Sequence, residues 1–181
     1  MRRIVNRSFA LVGGLLLLGS GLSGCSSKAP QWSFSSSDGT LHSLSDYQGQ
    51  VLILAFTNTW CEPCERAAPH LQDIHDRFAD QGVTVMAISS WERYDPTDYM
   101  EQYGYTYDVM LDGTDIARQY GVDHLPTFYI IGVNGHVIFQ EEGFNESTPK
   151  KMVKAIKKHL KKNSGKVQAW SVADLDDLSF E

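Results

Sequence analysis

The chain has 181 residues, enough to bury one hydrophobic core and carry short appendages. Its 42% apolar and 21% charged content is that of a globular domain, and a net charge of −6 argues against nucleic acid and against electrostatic adhesion to anionic lipid. The first two dozen residues differ from the rest. Arg2, Arg3 and Arg7 give a basic start, Phe9 to Leu18 is a short apolar run, and small residues from Gly19 to Gly24 lead to Cys25. These are the parts of an export signal over residues 1–24. The apolar run is shorter than the ~20 residues a membrane-spanning helix needs. Its removal takes away three basic residues and no acid, so the mature chain is more acidic still.

Leu22-Ser23-Gly24-Cys25 resembles the lipobox of bacterial lipoproteins. That resemblance implies cleavage before Cys25, acylation of that cysteine, and a membrane reached through a lipid anchor facing the periplasm or the cell exterior. An ordinary secretory signal is the alternative. Residues 25–31, small and polar, then read as a tether.

A domain over residues 32–162 follows. Trp32 and Phe34 alternate with serines, and Asp38-Gly39 precedes Leu41 and Leu44, which predicts a small β-hairpin. Val51–Phe56 is a continuous apolar run, the pattern of a strand buried on both faces. Trp60-Cys61-Glu62-Pro63-Cys64 comes next and opens a helix to about Asp80, with Pro69 inside it as a kink. Val83–Ile88 is a second buried strand. Asp95-Pro96 has the form of an N-cap and a first-turn proline for a helix to about Tyr103. Tyr107–Leu111 reads as a short strand and Thr114–Tyr120 as a short helix stopped by Gly121. Pro126–Gly132 and His136–Glu141 flank Asn134-Gly135, a hairpin signal. Thr148-Pro149 opens a last helix with Met152, Val153, Ile156 and Leu160 at helical spacing and lysines on its solvated face. Residues 163–181 read as an acidic tail. Strands alternating with helices and ending in a hairpin plus helix predict an α/β fold with a mixed central β-sheet flanked by helices.

The chemistry concentrates at the Cys61–Cys64 pair. With Cys25 acylated, these are the remaining thiols, in an exported chain where one such pair suits redox work. Disulfide exchange requires one thiolate that attacks and a second thiol that resolves the mixed disulfide. Two intervening residues place the sulfurs about one helical turn apart. At the amino end of a helix, unpaired N–H groups and the helix dipole favour the Cys61 thiolate, while Cys64 lies one turn in. Pro63 fits the first turn, where its missing N–H has no helical partner. Trp60 supplies an apolar surface beside the attacking sulfur. A purely structural disulfide here would close a loop so short that it removes little unfolded-state entropy.

Together, the buried strand Val51–Phe56, Trp60-Cys61-Glu62-Pro63-Cys64, Pro69 and Leu125-Pro126-Thr127-Phe128 resemble the thioredoxin superfamily, in particular its exported, membrane-anchored TlpA/ResA type. The resemblance implies a thioredoxin-like fold with a cis Pro126 against the cysteine pair. It also implies that the backbone of Leu125 pairs with a bound protein substrate. It implies catalytic and redox-disulfide roles for Cys61 and Cys64, a substrate-binding role for Trp60, Leu125 and Pro126, and no cofactor. Protein thiols and disulfides are the implied partners, with a membrane thiol-electron donor upstream, and reduction is the favoured direction, as in cytochrome c maturation. Two positions depart from the pattern. Ala55 stands where thioredoxins keep a buried aspartate, and Ala67 where TlpA/ResA-type proteins often have glutamate. Glu62 and Glu65 read as solvated helix-start charges.

Two rivals are kept in view. Cys61, Cys64 and His124 are a possible Cu(I) ligand set, as in a metallochaperone-like module, although SCO-like proteins separate their cysteines by three residues. A peroxiredoxin would want threonine three residues before its peroxidatic cysteine, where this chain has Asn58. The remaining histidines have no convincing ligand spacing, and no zinc or other metal site is expected. The aromatic stretch from Trp91 to Tyr107 reads as packing, with a docking surface as the minority reading.

Overall fold

The computed structural model describes residues 27–35 and 41–165. The expected export signal, Cys25, the Asp38-Gly39 turn and the expected acidic tail from residue 166 lie outside the described residues. Strands β1 (Ser33–Ser35) and β2 (Leu41–Ser43) pair antiparallel as the expected hairpin. The main sheet holds β3 (Val51–Thr57), β4 (Val83–Ser89), β5 (Asp108–Met110), β6 (Thr127–Ile131) and β7 (Val137–Glu142). Its order is β5-β4-β3-β6-β7, with β3, β4 and β5 parallel and β6 and β7 antiparallel to their neighbours. Helices α1 (Glu62–Phe78), α2 (Pro96–Tyr103), α3 (Thr114–Gln119) and α4 (Thr148–Lys162) complete the thioredoxin-like architecture.

Strand β3 explains why the sheet is covered on both sides. Its residues alternate between faces, and all from Val51 to Phe56 are buried. Val51, Ile53 and Ala55 join Leu71 and Ile74 of α1 and Met152 and Ile156 of α4 in one core. Leu52, Leu54 and Phe56 join Ile116 and Ala117 of α3, Tyr120, and Trp32 and Leu44 in the other. Burial on both faces is what produces an unbroken apolar run where a half-exposed strand would alternate.

Several boundaries shift from the sequence reading. Helix α1 gives way at Ala79 to a 3-10 turn ending at Gln81, and Pro69 lies within its regular span. Strand β5 is confined to three residues at the sheet edge, where it has one neighbour to hold it. The larger difference concerns the expected tether. From Ser27 onward the segment is packed against the domain: Lys28 bridges His136, Ala29 N–H donates to Gly135 O and Val137 N–H to Ser27 O. Ala29 is buried, and Pro30 O accepts the Tyr120 hydroxyl at 3.0 Å. Two apolar residues and backbone pairing with the β6–β7 turn hold what composition alone made look free.

Candidate active site

Parallel strands β3 and β4 end on the same side of the sheet, and antiparallel β6 begins there, since Thr57 pairs with Ser89 and Phe56 with Thr127. The loop after β3, the loop after β4 and the segment entering β6 therefore meet at one sheet end. Each brings chemistry. The first carries Cys61 and Cys64, the second carries Ser89 to Tyr94, and the third carries Leu125 and Pro126.

Cys61 is the N-cap of α1, and Cys64 sits in the first turn, with Pro63 placed where a missing N–H costs nothing. The two form a disulfide with Cα atoms 5.2 Å apart. Cys61 is partly exposed, whereas Cys64 retains 4% of its surface. The Cys64 N–H donates to Cys61 Sγ at 3.3 Å and to Cys61 O at 2.9 Å. The helix start thus aims a donor at the outer sulfur, which favours negative charge there. Of the acids in the first turn, Glu62 pairs with Arg66 in solvent, and Glu65 is exposed.

Beside Cys61, Trp60 is 45% exposed, its ring lying under the Arg93 guanidinium at 4.4 Å and its Nε1–H donating to Trp91 O at 3.3 Å. Trp91 holds the left-handed region with φ 51°, where a bulky residue is strained. Its N–H is fixed by Thr114 Oγ1 at 2.9 Å. The neighbouring Gly113 is demanded by close packing, since a Cβ there would lie 2.2 Å from Ile88 Cγ2.

Behind Cys64 is a cavity of about 30 Å³, lined among others by Ala55, Ala67, Asn58, Glu92, Tyr99, Tyr107 and Pro126. That is room for a water or two. Ala55 and Ala67, the two positions where the resemblance implied acids, both line it. The Leu125–Pro126 bond is cis, as the resemblance implies, and Pro126 shares the cavity wall with Cys64. Burial pushes the Tyr99 and Tyr107 hydroxyls well above their ordinary pKa, so both stay protonated.

Glu92 went unnoticed in the sequence. Its carboxylate accepts from Thr59 N–H and Oγ1–H, both at 2.8 Å, from Ser89 Oγ at 3.1 Å, and from the N–H groups of Arg93 at 2.8 Å and Tyr94 at 3.3 Å. Burial alone would raise its pKa. The bonds from Arg93, Thr59 and Tyr94 outweigh that and hold it below the usual carboxylate range. The available hint was position, directly after a buried parallel strand, where α/β sheets gather functional groups. His124 is exposed, its Nδ1 3.9 Å from Glu142 Oε2, and it does not line the cavity behind Cys64. Among the described residues, no cluster of three His, Cys, Asp or Glu side chains is placed to hold a metal. Asn58 is buried, its amide donating to Ser90 O at 3.3 Å.

This fold, with a cysteine pair at a helix start beside a cis-proline, defines a thioredoxin-like protein, and residues 25–140 match the AhpC/TSA family, to which the chain belongs. Within that broad family its likeness is to the TlpA/ResA type. A thiol-disulfide oxidoreductase ResA of Geobacillus thermodenitrificans is 35% identical over 113 residues, 61% of this chain and 65% of that protein. The ResA protein of Bacillus thuringiensis is 31% identical over 137 residues, 72% of this chain and 76% of that one. The chain thus spans 65% of the first relative's length, just short of two thirds. In three dimensions, a putative thiol:disulfide interchange protein DsbE from Chlorobium tepidum superposes with a TM-score of 0.65 at 28% identity, covering 74% of this chain and 95% of its own.

Proposed function

We propose that this protein is an extracytoplasmic thiol-disulfide oxidoreductase that exchanges the Cys61–Cys64 dithiol with disulfides of partner proteins, chiefly as a reductase. The observation that carries this reading is the asymmetry of the pair: a partly exposed sulfur at a helix N-cap, bonded to a buried one in the first turn. In the reductive direction the Cys61 thiolate attacks one sulfur of a partner disulfide, forming a mixed disulfide and releasing the partner's other sulfur as a thiolate, which takes up a proton. Cys64 then gives up its proton to solvent and attacks Cys61 Sγ. The Cys61–Cys64 bond closes and the partner's second sulfur leaves as a thiolate, which takes up a proton in turn. Two electrons pass to the partner, and a membrane thiol-electron donor returns two to the pair. Trp60, Leu125 and Pro126 form the surface against which the partner's chain lies. The ResA relatives support this activity by name, and cytochrome c maturation is the setting suggested by the TlpA/ResA resemblance. The Cys25 lipobox supports acylation and attachment to a membrane facing the periplasm or cell exterior; a Cys25→Ser chain is expected to take up no labelled fatty acid.

The test is capture. Cys64→Ser is expected to accumulate mixed disulfides through Cys61, and the reduced wild type to reduce insulin disulfides. If the wild type is inert toward insulin and the variant captures nothing, the reading fails. A reduction potential near that of strong oxidants, about −120 mV, would reverse the direction.

A further inference from the structure

Each of the three residues before Cys61 is tied to the loop after β4. Asn58 donates to Ser90 O, Thr59 donates twice to Glu92, and Trp60 donates to Trp91 O. Glu92 is the centre of this stitching. Both its oxygens are engaged, Oε2 by Thr59 N–H and Ser89 Oγ, and Oε1 by Thr59 Oγ1–H and the N–H groups of Arg93 and Tyr94. Among the described ion pairs it has no cationic partner, so N–H and O–H dipoles balance its charge. The same carboxylate lines the cavity behind Cys64.

We infer that Glu92 is a positioning residue for disulfide exchange: by holding Thr59 to the β4 loop it fixes Cys61 at the start of α1, where the helix stabilises the attacking thiolate. This deepens the proposed oxidoreductase reading and rests on it. The alternative for Glu92 is a bystander charge beside the cysteines, and the two roles predict opposite signs. A bystander anion opposes thiolate formation, so its removal would make Cys61 ionise more easily. A positioning carboxylate holds the sulfur on the helix dipole, so its removal moves Cys61 back toward a free thiol, about 8.5.

Glu92→Gln keeps the shape but breaks the arrangement. Backbone N–H groups point at both oxygens, so the amide NH₂ faces a donor whichever way it turns. Thr59→Val removes the hydroxyl bond to Oε1 and leaves the charge. The experiment measures the pH dependence of Cys61 alkylation in the reduced full chain, read by mass spectrometry, for wild type and both variants. Glu92→Gln is expected to raise the midpoint by roughly one pH unit, about fivefold less thiolate at pH 7, and Thr59→Val to raise it less. A midpoint that falls or stays put in Glu92→Gln overturns the inference. Should that variant fail to fold, an unchanged midpoint in Thr59→Val does the same. A wild-type Cys61 that titrates like free cysteine would instead sink the oxidoreductase reading itself.

Discussion

Reduction of the Cys61–Cys64 bond should leave two thiols of sharply different reactivity, and the size of the contrast follows from the helix start. Cys61 caps the 17-residue helix α1, and a charge at such an N-terminus gains about 0.3–1 kcal/mol when exposed and up to ~2 when partly buried. The Cys64 N–H aimed at Cys61 Sγ from 3.3 Å adds a hydrogen bond to the charged form, worth roughly 1.5 kcal/mol or more. Together these come to about 2 kcal/mol, against ~1.4 kcal/mol for each tenfold change. A free cysteine is only a few per cent thiolate at pH 7, so Cys61 should be roughly half thiolate at neutral pH, more than tenfold above a free thiol. Cys64, 4% exposed behind it, should be alkylated at least about tenfold more slowly. Limited iodoacetamide labelling of the reduced protein, with site assignment by mass spectrometry from pH 5 to 10, measures both. Preferential labelling of Cys64, or a Cys61 midpoint at or above that of a free thiol, would refute the reasoning.

Trp60→Ala should lower thermal stability only modestly, through loss of the Trp91 hydrogen bond and the Arg93 contact, yet slow exchange with protein disulfides several-fold while sparing a small aromatic disulfide. Equal losses on both would argue against a role in substrate contact. Ile156→Ala, fully buried between α4 and the sheet, should cost about 3 kcal/mol and lower the melting temperature by roughly 10 °C; a shift below a few degrees would mean α4 is loosely docked. Stability should also fall on mild acidification. His159 Nε2 accepts the Val133 N–H at 3.2 Å, and burial, with Lys162 nearby, holds its pKa below the ordinary value. The unfolded chain therefore binds the proton more readily, so this contribution is complete above about pH 6.5 and is lost as pH falls through the folded value. Its size is limited to about 1 kcal/mol because the ring is partly solvated. Denaturant titrations at pH 7 and 5 of wild type and His159→Gln should show a smaller pH difference in the variant; equal differences would reject the assignment.

What could be read from the chain was whatever local chemistry dictates. The unbroken run Val51–Phe56 announced a strand covered on both faces, and Cys61 with Pro63 announced a helix start. Asn134-Gly135 announced the turn between β6 and β7. What escaped depends on contacts between distant segments. Residues 27–31 have the composition of a tether but are held by the β6–β7 turn and Tyr120. Glu92 looks like any loop acid until Thr59, 33 positions away, is folded against it. His124, two residues from Pro126, was drawn toward the cysteines by proximity in sequence, whereas its ring reaches toward Glu142. Position along a chain predicts a neighbourhood; only the sheet decides which side chains share it.

The two flanks of the main sheet bear on the company such a protein would keep. A molecule that opens disulfides meets chains with unpaired backbone, and a long bare flank would invite them to add as strands. Here β5 offers only three residues, and β7 finishes with Gln140, Glu141 and Glu142, its opening residue Val137 already bonded to Ser27. Short length on one side and anionic charge on the other resist templating. With both flanks closed to strand addition, the sheet end that carries Cys61 and Pro126 is left as the place for the proposed exchange.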